Sequence, residues 1–158
     1  EISEAKINES FDINFFSHLN ISLETLKVLK RQNLGGTIIF NLSKQITNPG
    51  RGFGAYGIPK LATFGLLKQL ALENGELGIR VNGISADRIR SGLLNEKMIR
   101  KRSKARKIST SNYLKSNLLK KEVEAKHVAQ AFVDLASSSR TSGHVVTVDG
   151  GNIEASLR

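Results

Sequence analysis

Apolar positions recur at intervals of three and four along residues 12–31, where Phe15, Phe16, Leu19, Leu23 and Leu26 fall on one side of a helix and Val28 and Leu29 widen it. Asn33, Gly35 and Gly36 end that helix in a turn. The run TIIFNL at 37–42 is β-branched and aromatic, which predicts a short buried strand. A polar, Gly-rich loop follows, and a second helix is predicted over 55–74. It is apolar nearly all round, with Tyr56, Ile58, Leu61, Phe64, Leu67, Leu70 and Leu72 on every side, so it must be covered on two sides. Pro59 restricts where this helix can start, since only the first four amides of a helix lack an intrahelical partner. Residues 79–85, IRVNGIS, predict a second strand. Residues 86–121 are irregular, polar and basic, with room for short helices. A third clear helix is predicted over 124–137 and a last strand over 144–148, closed by Asp149, Gly150 and Gly151.

Strand, helix, strand, helix, strand in that order argues for an α/β protein with parallel strands joined by helical crossovers. Three strands make a narrow parallel sheet, because such sheets are buried on both faces and are usually wider. The first strand would also show an apolar edge without a partner. The expectation is that residues 1–158 form the C-terminal portion of one domain whose N-terminal half is absent from this chain.

Charge changes the picture less than its total implies. The chain carries a formal +10, but seven of the basic residues fall within residues 97–107, KMIRKRSKARK, and the rest of the chain keeps only +3. Such a run reads first as a solvated face, with anion or nucleic-acid binding as the alternative. Nine aromatics without a stacking motif give no support to base readout, so no nucleic-acid partner is expected. The absence of cysteine removes disulfides, thiolate metal sites and a thiol nucleophile, and it fits a reducing, cytoplasmic setting. No apolar run approaches the roughly 20 residues that span a bilayer, so no membrane partner is expected.

The candidate chemistry lies between the first strand and the second helix. Tyr56 and Lys60 are four apart and share a helix face, and Ser43 stands thirteen residues before Tyr56, at a strand end. A tyrosine is a poor base at its ordinary pKa of about 10; a neighbouring ammonium favours its phenolate. A serine hydroxyl can hold a substrate oxygen while its charge changes. A Tyr–Lys helix pair alone is commonplace. The order of strand, serine, tyrosine, helix and lysine is not.

With NLSKQ leading to YGIPK, the chain resembles the active-site segment of the short-chain dehydrogenases/reductases, and the resemblance runs over nearly its whole length. It implies a Rossmann-like doubly wound parallel sheet of which these would be the last three strands, a nicotinamide cofactor (NAD or NADP), and hydride transfer to or from a small carbonyl or alcohol. It implies that Ser43, Tyr56 and Lys60 are catalytic, and that Asn14, in INFFSH, positions a water linking Lys60 to solvent, with Asn20 as a rival. Tyr56, Lys60, Ala86, Asp87, Ile89 and Ser91 would face the cofactor. The family usually has Pro-Gly where this chain has Ala86-Asp87, and Ser91 stands where a threonine is common. FNLSKQ, NPGRGFGAYGIPK, ADRIRSGLL, NLLKKEV and TVDGGN are similar to the dehydrogenase part of bifunctional rhamnulose-phosphate aldolase/alcohol dehydrogenases, which implies lactaldehyde as a substrate. The family's pairing of subunits through two long helices implies a homodimer or homotetramer built on residues 12–31 and 55–74.

Gly52, Gly54 and Gly57 spell a G-x-G-x-x-G, but no strand immediately precedes it, and Tyr56 inside it already has a role. It is read as a flexible loop. His18, His127 and His144 lack metal-ligand spacing, and no metal is expected. Two readings compete with the enzyme: a non-catalytic assembly fragment, and a basic nucleic-acid binder.

Overall fold

The computed structural model describes residues 2–152. Helix α1 (Glu4–Phe11) runs through a single wide turn (Asp12–Phe16) into α2 (Ser17–Gln32), so the first helix begins well before the predicted residue 12. The wide turn carries an extra residue and lets Phe11, Phe15 and Phe16 cluster with ring centroids 5.2–6.4 Å apart. Asn33, in the left-handed region at φ +50°, stops α2, and its amide donates to the Leu29 carbonyl at 3.0 Å.

Three strands follow, β1 (Gly36–Asn41), β2 (Ile79–Ala86) and β3 (Val145–Val148), parallel and in the order β1-β2-β3. Gly36 aligns with Ile79 and Gly83 with Val145. The crossover from β1 to β2 is α3 (Gly54–Asn74), and α6 (Ala125–Ser137) leads into β3. Between β2 and α6 stand α4 (Glu96–Ala105) and the short α5 (Thr110–Leu114).

The main core joins one face of the sheet to α3 and α2: Leu67, Val81, Ile79, Phe40 and Leu26 are all buried. Gly83 permits this closeness. A β-carbon there would lie 2.7 Å from Leu67 and 2.9 Å from Leu42, inside contact distance. A second, smaller core of Leu94, Ile99, Tyr113 and Leu114 holds α4 and α5 together as a cover beyond the strand ends. Pro59 lies within α3, past the four free amides, and forgoes one ladder hydrogen bond rather than setting the start.

Arg80, on β2, fixes the far end of α6. Its guanidinium donates to the carbonyls of Leu135 at 3.3 Å, Ser138 at 2.7 Å and Ala136 at 2.8 Å, acceptors at the C-terminal end of that helix. Arg80→Ala is expected to cost about 1–3 kcal/mol, measured as a shift of the urea midpoint with unchanged slope.

Candidate active site

Parallel strands leave their C-terminal ends free, and the loops after β1 and β2 meet there. The result is a cavity of about 360 Å³ that holds Ser43 and Tyr56 from the β1 side and Ala86, Asp87, Ile89 and Ser91 from the β2 side. Ser43 follows β1 by two residues and caps a short turn (Lys44–Ile46), accepting from the Gln45 amide at 3.4 Å. Buried Gln45 in turn accepts from the Gly50 amide at 2.7 Å, which folds the loop back toward α3. The Gly-rich segment is therefore an ordinary connection, with Gly52 at φ +80° in the loop and Gly54 and Gly57 in α3.

That return brings Ser43 and Tyr56 to the same cavity wall, close enough for the hydroxyl to favour the phenolate. Lys60 lies on the same face of α3, its Nζ 5.9 Å from the Tyr56 ring centre and 3.0 Å from the Asn41 carbonyl, to which it donates. The lysine is only 7% exposed. Burial holds its pKa below the ordinary lysine value. Burial also raises Tyr56 above the usual tyrosine value, and the nearby Ser43 side chain only partly offsets this.

Asn14 stands apart from this trio. Its carbonyl lies in the wide helical turn, and Thr63 Oγ1, one turn beyond Lys60, donates to it at 2.5 Å. Its side-chain amide donates to Ser10 Oγ at 3.1 Å. Asn20 is exposed. The neighbour of Lys60 from this helix is His18, four residues after Asn14, stacked on Phe40 with centroids 6.0 Å apart. Its pKa is lowered chiefly by burial and secondarily by the Lys60 charge.

Asp87, whose presence the sequence left unexplained, anchors the rim. It pairs with Lys44 at 3.3 Å and Arg88 at 3.3 Å and accepts from Asn152 Nδ2 at 3.4 Å. Arg88 holds a left-handed φ of +57° and donates to the Tyr113 carbonyl at 3.3 Å and to the carbonyl and hydroxyl of Ser116 at 2.9 and 2.6 Å, tying the cover to β2. Ser91 accepts from the Leu94 amide at 3.1 Å, which leaves its hydroxyl proton to point elsewhere. The Asp149 carboxylate accepts from the Gly151 and Asn152 amides at 2.8 and 3.1 Å, forming the expected turn.

Among the cavity residues that sequence reasoning missed are Phe53, Arg102, Arg106 and Tyr113. The spacing of Arg102 and Arg106, one turn apart and flanking buried Ser103, was the available signal. Among the described residues no cluster of His, Asp or Glu could hold a metal ion, and no helix is long and apolar enough to cross a membrane.

Residues 1–152 match the family model described as enoyl-(acyl carrier protein) reductase. The chain belongs to the short-chain dehydrogenase/reductase family. It is 30% identical over 96% of its length to the uncharacterized oxidoreductase YuxG of Bacillus subtilis, of which it spans 23%. It is 31% identical over 88% of its length to the 3alpha-hydroxysteroid dehydrogenase of Mediterraneibacter gnavus, of which it spans 53%. A 4-hydroxyisoleucine dehydrogenase solved with NADH shares 25% identity and a TM-score of 0.77, covering 96% of this chain and 61% of that one. This short-chain dehydrogenase/reductase chain thus spans from under a quarter to about half the length of the curated relatives it matches. Its α/β fold with a parallel sheet is the fold the resemblance implied.

Proposed function

We propose that the protein is an NAD(P)-dependent oxidoreductase that interconverts a small alcohol and its carbonyl. The observation that carries this reading is Ser43 and Tyr56 together on the wall of a cavity at the strand ends, beside a buried Lys60. Among the described residues the Lys60 ammonium donates to the Asn41 carbonyl alone, so two of its N–H donors remain for a bound hydroxylated ligand. The relative solved with NADH supports a nicotinamide cofactor. Lys60 and Tyr56 would hold its ribose, with Ala86, Asp87, Ile89 and Ser91 along the nicotinamide side.

The nicotinamide, when bound, supplies or accepts the hydride. In reduction the Tyr56 phenol gives its proton to the substrate oxygen, and in oxidation the phenolate takes that proton back. The Ser43 hydroxyl orients the oxygen and donates to it as charge develops. Lys60 stabilises the phenolate and releases a proton outward along a path on which Asn14 positions water.

With the Tyr56 pKa raised by burial, the phenol is protonated throughout the neutral range. Oxidation needs the phenolate, whose fraction grows tenfold per pH unit below the pKa. The expected result is that alcohol oxidation by the full-length protein accelerates from pH 7 toward pH 10, while carbonyl reduction does not. Absorbance of NADH or NADPH at a series of pH values reads this directly; equal profiles in both directions would count against Tyr56 as the proton carrier.

The finer reading, a dehydrogenase fused to an aldolase and acting on lactaldehyde, rests on the wording of segments such as ADRIRSGLL and TVDGGN. A relative more than four times the matched length supports a fusion of this kind. Assembly into a homodimer or homotetramer is supported by exposed apolar residues on the two long helices, including Ile13, Ile21, Leu61 and Leu72. A cytoplasmic setting fits a chain without cysteine.

A further inference from the structure

Four cations line the cavity, Lys44, Arg88, Arg102 and Arg106, against one carboxylate, Asp87. Their situations differ. Lys44 and Arg88 are both paired with Asp87, and Arg88 also gives hydrogen bonds to Tyr113 and Ser116. Arg102 and Arg106 make no ion pair with a carboxylate among the described residues. Their positive charge is therefore left uncompensated beside the reacting groups.

Each guanidinium is nonetheless placed. Arg102 lies over the Phe53 ring at 4.6 Å and Arg106 over the Tyr113 ring at 5.4 Å. Arg106 Nη1 also donates to the Arg102 carbonyl at 3.1 Å. Stacking on an aromatic face restrains a planar fork while leaving its N–H edges available. The phase of α4 sets this arrangement: Ile99 and Ser103 are buried, so Arg102 and Arg106 turn to the cavity while Lys97, Arg100, Lys101 and Lys104 face solvent. Phe53, three residues before Tyr56, lines the same cavity as Tyr56 and Arg102.

We propose that Arg102 and Arg106 bind the anionic end, a phosphate or carboxylate group, of the substrate whose alcohol or carbonyl carbon reacts at Tyr56. The assignment rests on the hydride-transfer reading for what the ligand is, but not on lactaldehyde, which carries no charge for these residues to meet. A fork of paired N–H donors matches an oxyanion in geometry as well as charge. Since the cofactor's own pyrophosphate has the same chemistry, the test must separate the two.

The probe is inorganic phosphate titrated into the full-length protein, followed by the side-chain Nε–Hε NMR signals of its arginines. Binding in the millimolar range is expected, with Arg102 and Arg106 shifting together. Arg102→Gln with Arg106→Gln should weaken phosphate about tenfold or more. Lys101→Gln with Lys104→Gln removes the same charge from the outer face and should leave it nearly unchanged. Arg106→Gln alone, at an exposed position where folding is not at stake, should weaken it severalfold. NADH affinity should be equal in all variants. The proposal fails if phosphate shifts neither arginine, if the lysine pair matters as much as the arginine pair, or if the arginine variants lose NADH in proportion to phosphate, which would assign them to the cofactor. Phosphate binding is read without turnover, so an inactive Tyr56→Phe protein that still binds phosphate separates this site from the hydride-transfer reading.

Discussion

Tyr56→Phe in the full-length protein is expected to lower turnover by about 10²–10⁴-fold or more, with folding intact. The substitution removes one oxygen from a half-buried ring and keeps the packing of α3. The neighbour that loses the phenol is Ser43, which still receives the Gln45 amide and faces the cavity, where water can replace the phenol. The structural cost is therefore about 1 kcal/mol. The chemical cost is larger, because no other proton donor among the described residues has its place: Ser43 is a weak acid, and the Lys60 ammonium is turned to the Asn41 carbonyl. Steady-state rates in both directions, beside a thermal melt, check this. Near-normal turnover with an unchanged melt would sink the mechanism, whereas binding of NADH should survive the change.

Fold and site were legible in the chain to different degrees. The strands read well because β1 and β2 are short apolar runs whose burial leaves few alternatives, and α3 read well because Leu67 and Leu70 must be covered. The start of the first helix did not. EAKINESF has no apolar stripe, and its helix depends on continuing into the Phe11, Phe15 and Phe16 cluster and lying against α3. The wide turn before α2, whose Asn14 carbonyl receives the Thr63 hydroxyl, likewise has no sequence signature. Ser43, Tyr56 and Lys60 were visible because their spacing along strand, loop and helix is itself the geometry. The direction of the Tyr56 pKa was not, because it depends on how much water the ring loses. Nor could seven charges in eleven residues reveal which two face inward; that choice follows from Ile99 and Tyr113 packing beneath α4.

Lys60→Met tests a separate link, that a buried ammonium is kept for chemistry at the expense of the fold. Turnover is expected to fall by about 10²–10³-fold, since the phenolate loses its stabilising cation and the ribose its donor. Stability should hold or rise by about 1 kcal/mol at neutral pH, because the ammonium is desolvated and donates to a neutral carbonyl, with no carboxylate paired to it among the described residues. Methionine fills a similar volume and leaves no unpaired charge behind. The pH dependence gives the sign. Burial depresses the Lys60 pKa, so above that lowered value the unfolded chain binds a proton that the folded chain has released. The wild-type penalty is thus fully present at neutral pH and is lifted as pH rises toward the ordinary lysine value. The advantage of Lys60→Met over wild type should shrink across that alkaline window. The raised Tyr56 pKa acts in the opposite direction, with stability falling as the unfolded chain ionises first, but it is common to both proteins and largely cancels in the difference. Urea melts of the two proteins from pH 7 to pH 10.5 measure it. A variant markedly less stable than wild type at pH 7 would mean that Lys60 holds the fold together, and its burial would then need no catalytic explanation.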